Sequence, residues 1–208
     1  MNFKKILFLG AHPDDEFGCS GTLIRWKEEN KEIFFAVFSF CEESVPKGFP
    51  KDVLSVELDS ALKVIGIKNE NTFKYNFRVR HFPKFRQEIL EELIILKDKI
   101  KPDLVMVPAL SDFHQDHHTI ATEGLRAFKQ STILGYELPQ NIITFQHSCF
   151  VELKERHLNR KIKSLSSYQS QSHRAYANEE FIIGLARVRG VQIGKDAAEA
   201  FEVLRLII

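Results

Sequence analysis

The chain has 208 residues, 44% apolar and 27% charged, with a formal net charge of +1. That length suits one α/β domain with a full core, and residues 1–208 read as a single domain. The near-zero charge supplies no field that would draw the protein onto nucleic acid or an anionic membrane. The eighteen phenylalanines have no basic residues concentrated among them, so they read as core rather than as a base-stacking surface.

Lys5–Ala11 is a continuous apolar run, the pattern of a strand buried on both faces of a parallel sheet. It is far shorter than the ~20 residues of a membrane span and lacks the architecture of a signal peptide. Phe17–Asn30 carries helical periodicity, Glu32–Phe40 is a second apolar run, and Cys41–Pro50 reads as loop. Asp52–Ile65 is amphipathic, with Gly66 placed for a helix C-cap. Thr72–Phe77 reads as a short strand, Lys84–Lys101 as a helix stopped by Pro102, and Leu104–Ala109 as another buried strand. His118–Lys129 then reads as helix, and Thr132–Leu138 and Ile142–Leu153 as strands. From about Lys154 the chain is helical, with turns at Ser166–Ser172 and a closing strand at Ala198–Ile207. This alternation predicts an α/β fold: a Rossmann-like, doubly wound, mostly parallel sheet with helices on both faces and a C-terminal elaboration. Cys19, Cys41 and Cys149 are odd in number and form no CxxC, so they read as buried or partly buried thiols in a reducing compartment, the cytoplasm.

Two polar clusters follow apolar strands. One is His12-Pro13-Asp14-Asp15-Glu16, after the first strand; the other is Asp112-Phe113-His114-Gln115-Asp116-His117-His118, after Leu104–Ala109. In open parallel sheets ligands bind at the carboxyl ends of the strands, where strand order reverses. In the common order the first and fourth strands meet there, so both clusters would share one pocket. A hydrolytic zinc takes three protein ligands, often two histidines and a carboxylate, and keeps one position for water. His12 and one acid of the Asp14–Asp15 pair can supply two ligands, and a histidine of the second cluster the third. The other acid is then free as a general base. The alternative is structural: an Asp-rich turn can simply cap the next helix, and loop histidines can be merely solvated. His81, His147, His157 and His173 are scattered and read as surface or supporting residues. A non-catalytic Rossmann-like sugar- or nucleotide-binding module would need a phosphate-cradling glycine loop, and Gly10-Ala11-His12-Pro13 is not one.

His12-Pro13-Asp14-Asp15-Glu16 together with His114-x-Asp116-His117 resembles the PIG-L/LmbE-like family of metal-dependent N-deacetylases, bacterial type. The likeness extends through Asn76–Arg80, Leu134–Glu137 and Lys161–Gln171. It implies removal of an N-acetyl group from an N-acetylglucosamine-type amino sugar or conjugate, with release of acetate. It implies that His12, Asp15 and His117 hold Zn(2+), with Fe(2+) the alternative metal, and that Asp14 is the general base. His114 would support the oxyanion or leaving amine, with Asp116 orienting its ring and raising its pKa. Arg80 would hold substrate hydroxyls, and His118 has no role in the pattern. The expected partner is a small, water-soluble amino sugar, with no membrane span; a homo-oligomer is left open. The competing enzymatic reading is a metal hydrolase of another amide or an ester.

Overall fold

The computed structural model describes residues 3–207. Seven strands form one sheet: β1 (Lys5–Gly10), β2 (Glu32–Val37), β3 (Thr72–Lys74), β4 (Leu104–Pro108), β5 (Thr132–Tyr136), β6 (Cys149–Glu152) and β7 (Ala198–Arg205). Their order is β3-β2-β1-β4-β5-β7-β6. The first five run parallel, and β7 is antiparallel to both β5 and β6. The helices are α1 (Ser20–Glu28), α2 (Val53–Ile65), α3 (Arg86–Ile100), α4 (Gln115–Ala127), α5 (Glu155–Leu165) and α6 (Glu179–Val191).

Side-chain alternation along each central strand divides the core in two. Ile6 and Phe8 of β1 and Leu104 and Met106 of β4 pack with α1, α2, α5 and the start of α6. Leu7 and Leu9, with Val105 and Val107, pack with α3 and α4 on the other face. Continuous apolar strands are therefore required, which is why β1 and β4 were legible as unbroken runs. β1 and β4 are neighbours, and the loops that follow them are the two polar clusters.

Several boundaries differ from expectation. The predicted helix Phe17–Asn30 is divided into a 3-10 turn, Asp15–Gly18, and α1. A Cβ on Gly18 would lie 2.7 Å from both the Glu137 carbonyl and the Tyr136 ring, so only glycine lets this turn rest on the end of β5. The helix predicted from His118 begins three residues earlier, at Gln115, because His114 caps it by accepting the Asp116 N–H. Asp116 and His117 thus sit on a rigid first helical turn. Of Ile142–Leu153 only β6 is strand; the closing strand forms as expected, as β7, and lies between β5 and β6. The αL residue Gly66 ends α2, as expected.

The C-terminal segment is fastened to the helix that follows the first cluster. Glu199 of β7 accepts hydrogen bonds from the Gly21 and Thr22 N–H groups, at 3.0 and 2.6 Å, and so caps the start of α1 from a distance. Lys161 of α5 donates to the same carboxylate at 2.6 Å, and both side chains are buried. Lys161→Met should cost about 3 kcal/mol, the low end for breaking a buried pair, since Glu199 keeps its main-chain donors. Urea unfolding measures this; an unchanged midpoint would contradict the clamp.

Candidate metal centre

The loop after β1 is held from below. The Tyr168 hydroxyl lies 2.5 Å from the Pro13 carbonyl and 2.8 Å from Glu16 Oε1. A single hydroxyl proton cannot serve both oxygens at once. The hydroxyl is therefore shared between the Pro13 carbonyl and Glu16 Oε1, and burial raises the Glu16 carboxyl well above the ordinary carboxylate range. Within the loop, the His12 N–H donates to Asp15 Oδ2 at 2.9 Å. In the second cluster the His114 N–H donates to Asp112 Oδ1 at 2.8 Å, which sets the entry to α4.

Three ligand-type atoms then face one another. His12 Nδ1 and His117 Nε2 are 2.9 Å apart. Asp15 Oδ1 lies 3.2 Å from His117 Nε2 and 3.7 Å from His12 Nδ1. The far nitrogen of each ring is committed: His12 Nε2 donates to Asp116 Oδ2 at 3.0 Å and His117 Nδ1 to Asp112 Oδ2 at 2.7 Å. With the ring protons held by those carboxylates, both inner nitrogens present lone pairs. Two lone pairs and a carboxylate oxygen aimed at one point repel one another unless a cation lies among them. The donor set therefore fits a divalent metal.

His114 also lies close, its ligand atom within 4.8 Å of those of His12 and His117. Its Nδ1 accepts the Asp116 N–H at 3.2 Å, so the neutral ring carries its proton on Nε2. It offers a donor where the other two histidines offer lone pairs.

The sequence profile of the family described as "PIG-L: GlcNAc-PI de-N-acetylase" matches residues 7–128, more than half of the chain and including both clusters. The chain belongs to the PIG-L family. A protein of Escherichia coli (strain K12) described as the uncharacterized deacetylase YaiS is 28% identical over 174 residues, covering 80% of this chain and 91% of that protein. The N,N'-diacetylchitobiose deacetylase of Pyrococcus horikoshii shares the fold with a TM-score of 0.80 at 19% identity, over 98% of this chain and 84% of that one. GalB, the 4-carboxy-2-hydroxymuconate hydratase of Pseudomonas putida KT2440, shares it with a TM-score of 0.75 at 16% identity, over 99% and 98%.

In this PIG-L chain the expected site residues converge, with two corrections. Asp116 orients His12 rather than the His114 ring. Its Oδ2 also accepts the Arg80 N–H at 2.5 Å, and its Oδ1 the Phe82 N–H at 3.1 Å. The His114 pKa is not raised: burial, followed by the neighbouring His12 and His117, pushes it down to about 4. Asp14 lies beside the donors and accepts from the Tyr176 hydroxyl at 2.8 Å. Arg80 lines the same cleft. His118 does not; it faces a neighbouring surface groove with Phe113. His157 is buried far from the site, bonded to Glu28 at the start of α5. Two contributors went unrecognised in the sequence. Asp112 could have been found from the rule that a ligating histidine gives its other N–H to a carboxylate. Tyr176 had no local signal, since 162 residues separate it from Asp14.

Without a metal, a proton takes the cation's place. Burial alone would lower both histidines, but Asp15 and Asp112 push His117 up to about 10, and Asp15 and Asp116 raise His12. Asp15 is held below the usual carboxylate range by His117 and His12, against the opposing effect of burial. At pH 7 the metal must displace the proton that His117 would otherwise keep until about pH 10, so affinity should fall as pH is lowered. Calorimetric titration of the metal-free protein in buffers of different ionisation enthalpy should show release of about one proton per metal bound at pH 7. A binding heat independent of buffer would contradict the shared-proton site.

Proposed function

We propose that the protein is a metal-dependent hydrolase that removes the N-acetyl group from an N-acetylglucosamine-type amino sugar or conjugate and releases acetate. One observation carries the reading: of two adjacent acids, Asp15 is turned into the donor set while Asp14 stands free of it in the cleft. A hydrolase needs that division, because one carboxylate must hold the ion and another must move a proton. The family description and the deacetylase relatives support the choice of acetamide as the bond cleaved.

His12 Nδ1, Asp15 and His117 Nε2 would hold the metal, zinc or iron(II) by ligand type. When bound, it would acidify a water molecule and polarise the acetamide carbonyl. Asp14 receives the proton of the attacking water. Tyr176 occupies Asp14 Oδ2, which leaves Oδ1 for that proton. His114 Nε2–H points its hydrogen bond at the oxygen that turns anionic as the carbonyl carbon becomes tetrahedral. A neutral imidazole, pushed down to about pH 4 in its titration, serves as this donor without carrying charge. Asp14 then returns its proton to the departing amine, and acetate is the second product.

No helix among the described residues is long and apolar enough to cross a membrane. We place the substrate in water, presented at an open cleft. Cys19, Cys41 and Cys149 are free, which suits the cytoplasm.

Asp14→Asn should keep its metal and lose ~10²–10⁴-fold in rate, the usual cost of removing a general base. Asp15→Asn should lose metal affinity, and added zinc should restore part of its activity by refilling the site. Metal analysis with an acetate-release assay separates the two. Rescue of Asp14→Asn by zinc, with Asp15→Asn fully metal-loaded and inactive, would reverse the assignment.

A further inference from the structure

Helix α6 is apolar on two opposite faces. Ile182, Ala186 and Gly190 form its buried face. A Cβ on Gly190 would lie 2.6 Å from Ala197 N, so the end of the helix rests directly on the chain entering β7. Half a turn away, Phe181, Gly184, Val188 and Val191 follow one another at helical spacing and share one face. Phe181 is 37% exposed, Val188 56% and Val191 76%. No described atom lies within 4 Å of the point a Cβ on Gly184 would occupy, so the middle of this stripe is open. A surface helix normally turns polar and charged residues outward, whereas α6 presents a second apolar stripe.

The loop between β5 and β6 widens the patch. The Arg189 guanidinium stands 5.7 Å from the centre of its Phe145 ring, and His147 Nε2 is 3.0 Å from Gln192 Oε1, which fastens the loop against the end of α6. Ile143 of the same loop is 93% exposed. Phe181 is held from behind by the Phe17 ring, with centroids 6.1 Å apart.

The charges beside the stripe select its partner. Glu180 and Arg187 are two helical turns apart and lie along one edge of it. Both are exposed, and neither has an ion-pair partner among the described residues. A two-fold axis across an antiparallel helix pair brings like edges together with the residue order reversed. With the crossing at Gly184, Glu180 of each copy faces Arg187 of the other, and Phe181 faces Val188. An edge with one acid and one base complements its own reverse, and it has no net charge to favour a nucleic acid or an anionic membrane. We propose that two copies of this chain pair antiparallel through α6, crossing at Gly184, with two Glu180–Arg187 ion pairs along one edge of an apolar seam. The patch is one helix and one loop wide, the small end of specific interfaces, so the pairing is reversible. Tyr176 stands just before α6 and Asn141 on the same loop as Ile143, and both line the cleft, so the pairing fastens two of its walls. It does not depend on which bond the site cleaves.

The test is sedimentation velocity of the purified full chain. Across ~1–100 µM at low salt it should show a monomer–dimer equilibrium that weakens as salt rises. Glu180→Arg and Arg187→Glu should each raise the dissociation constant roughly 10-fold, because each turns two attractions into two repulsions. Combined, they restore attraction with the signs exchanged and should return the constant to within about 3-fold of the parent value. Gly184→Gln needs no room inside the monomer and removes a poor helix former, so it should abolish the dimer while the thermal midpoint stays or rises. That pair of readouts separates a lost interface from a lost fold. A larger assembly that breaks down in the same variants would support the same contact. A monomer at every concentration would overturn the proposal, and co-sedimentation of that monomer with phosphatidylglycerol vesicles would assign the patch to a membrane surface instead. A dimer indifferent to both charge reversals and to Gly184→Gln would overturn it by placing the interface elsewhere.

Discussion

The site turns on an electrostatic conflict that the polypeptide alone does not resolve. Two imidazole nitrogens stand 2.9 Å apart with a carboxylate oxygen beside them, and their outer N–H groups are tied to Asp116 and Asp112. Neither ring can turn away without breaking a buried charge-assisted hydrogen bond, worth about 1.5–3 kcal/mol. The conflict is relieved only by positive charge between the rings, which a proton or a divalent cation would supply. Asp14 stands outside the donor set on the Tyr176 hydroxyl, and His114 accepts the Asp116 N–H on Nδ1, which leaves its Nε2 as a donor.

The fold delivers this arrangement by neighbouring two strands that are far apart in sequence. β1 and β4 pair in parallel at the centre of the sheet, and each ends at the same edge. Asp116 is the knot among the loops. It holds the His12 ring from the first loop and takes the Arg80 and Phe82 N–H groups from the loop after β3. The C-terminal segment does corresponding work on the other side. Tyr168 braces Pro13, Tyr176 engages Asp14, and Glu199 caps the helix into which the first cluster runs. The antiparallel β7 adds to the sheet and also carries the residue that anchors the catalytic loop's exit.

Legibility in the sequence followed the range of the interactions. Strands β1 and β4 and their polar loops stood out because burial on both faces demands an unbroken apolar run, and the run's end marks the site. Gly66 was readable because a left-handed helix end leaves few choices of residue. The start of α4 was not, since it depends on His114 capping its own helix, and that shift decides where Asp116 points. Asp112 was visible as a letter but not as the partner of His117, because a contact five residues back along a turn depends on backbone geometry. Tyr176, Gln171 and Arg174 reach the cleft through tertiary folding of an irregular segment, which periodicity cannot report. The same fold supports a hydratase as well as deacetylases, so it is the placement of individual side chains that carries the chemistry.

The most direct test of this account is a crystal structure of the zinc-loaded protein with the metal located by anomalous scattering. The account predicts one strong peak among His12 Nδ1, the Asp15 carboxylate and His117 Nε2, with Asp116 and Asp112 still bonded to the outer ring nitrogens and His114 Nε2 outside the coordination sphere. A peak ligated by His114 with Asp15 turned away, or rings flipped so that their outer nitrogens hold the metal, would contradict it.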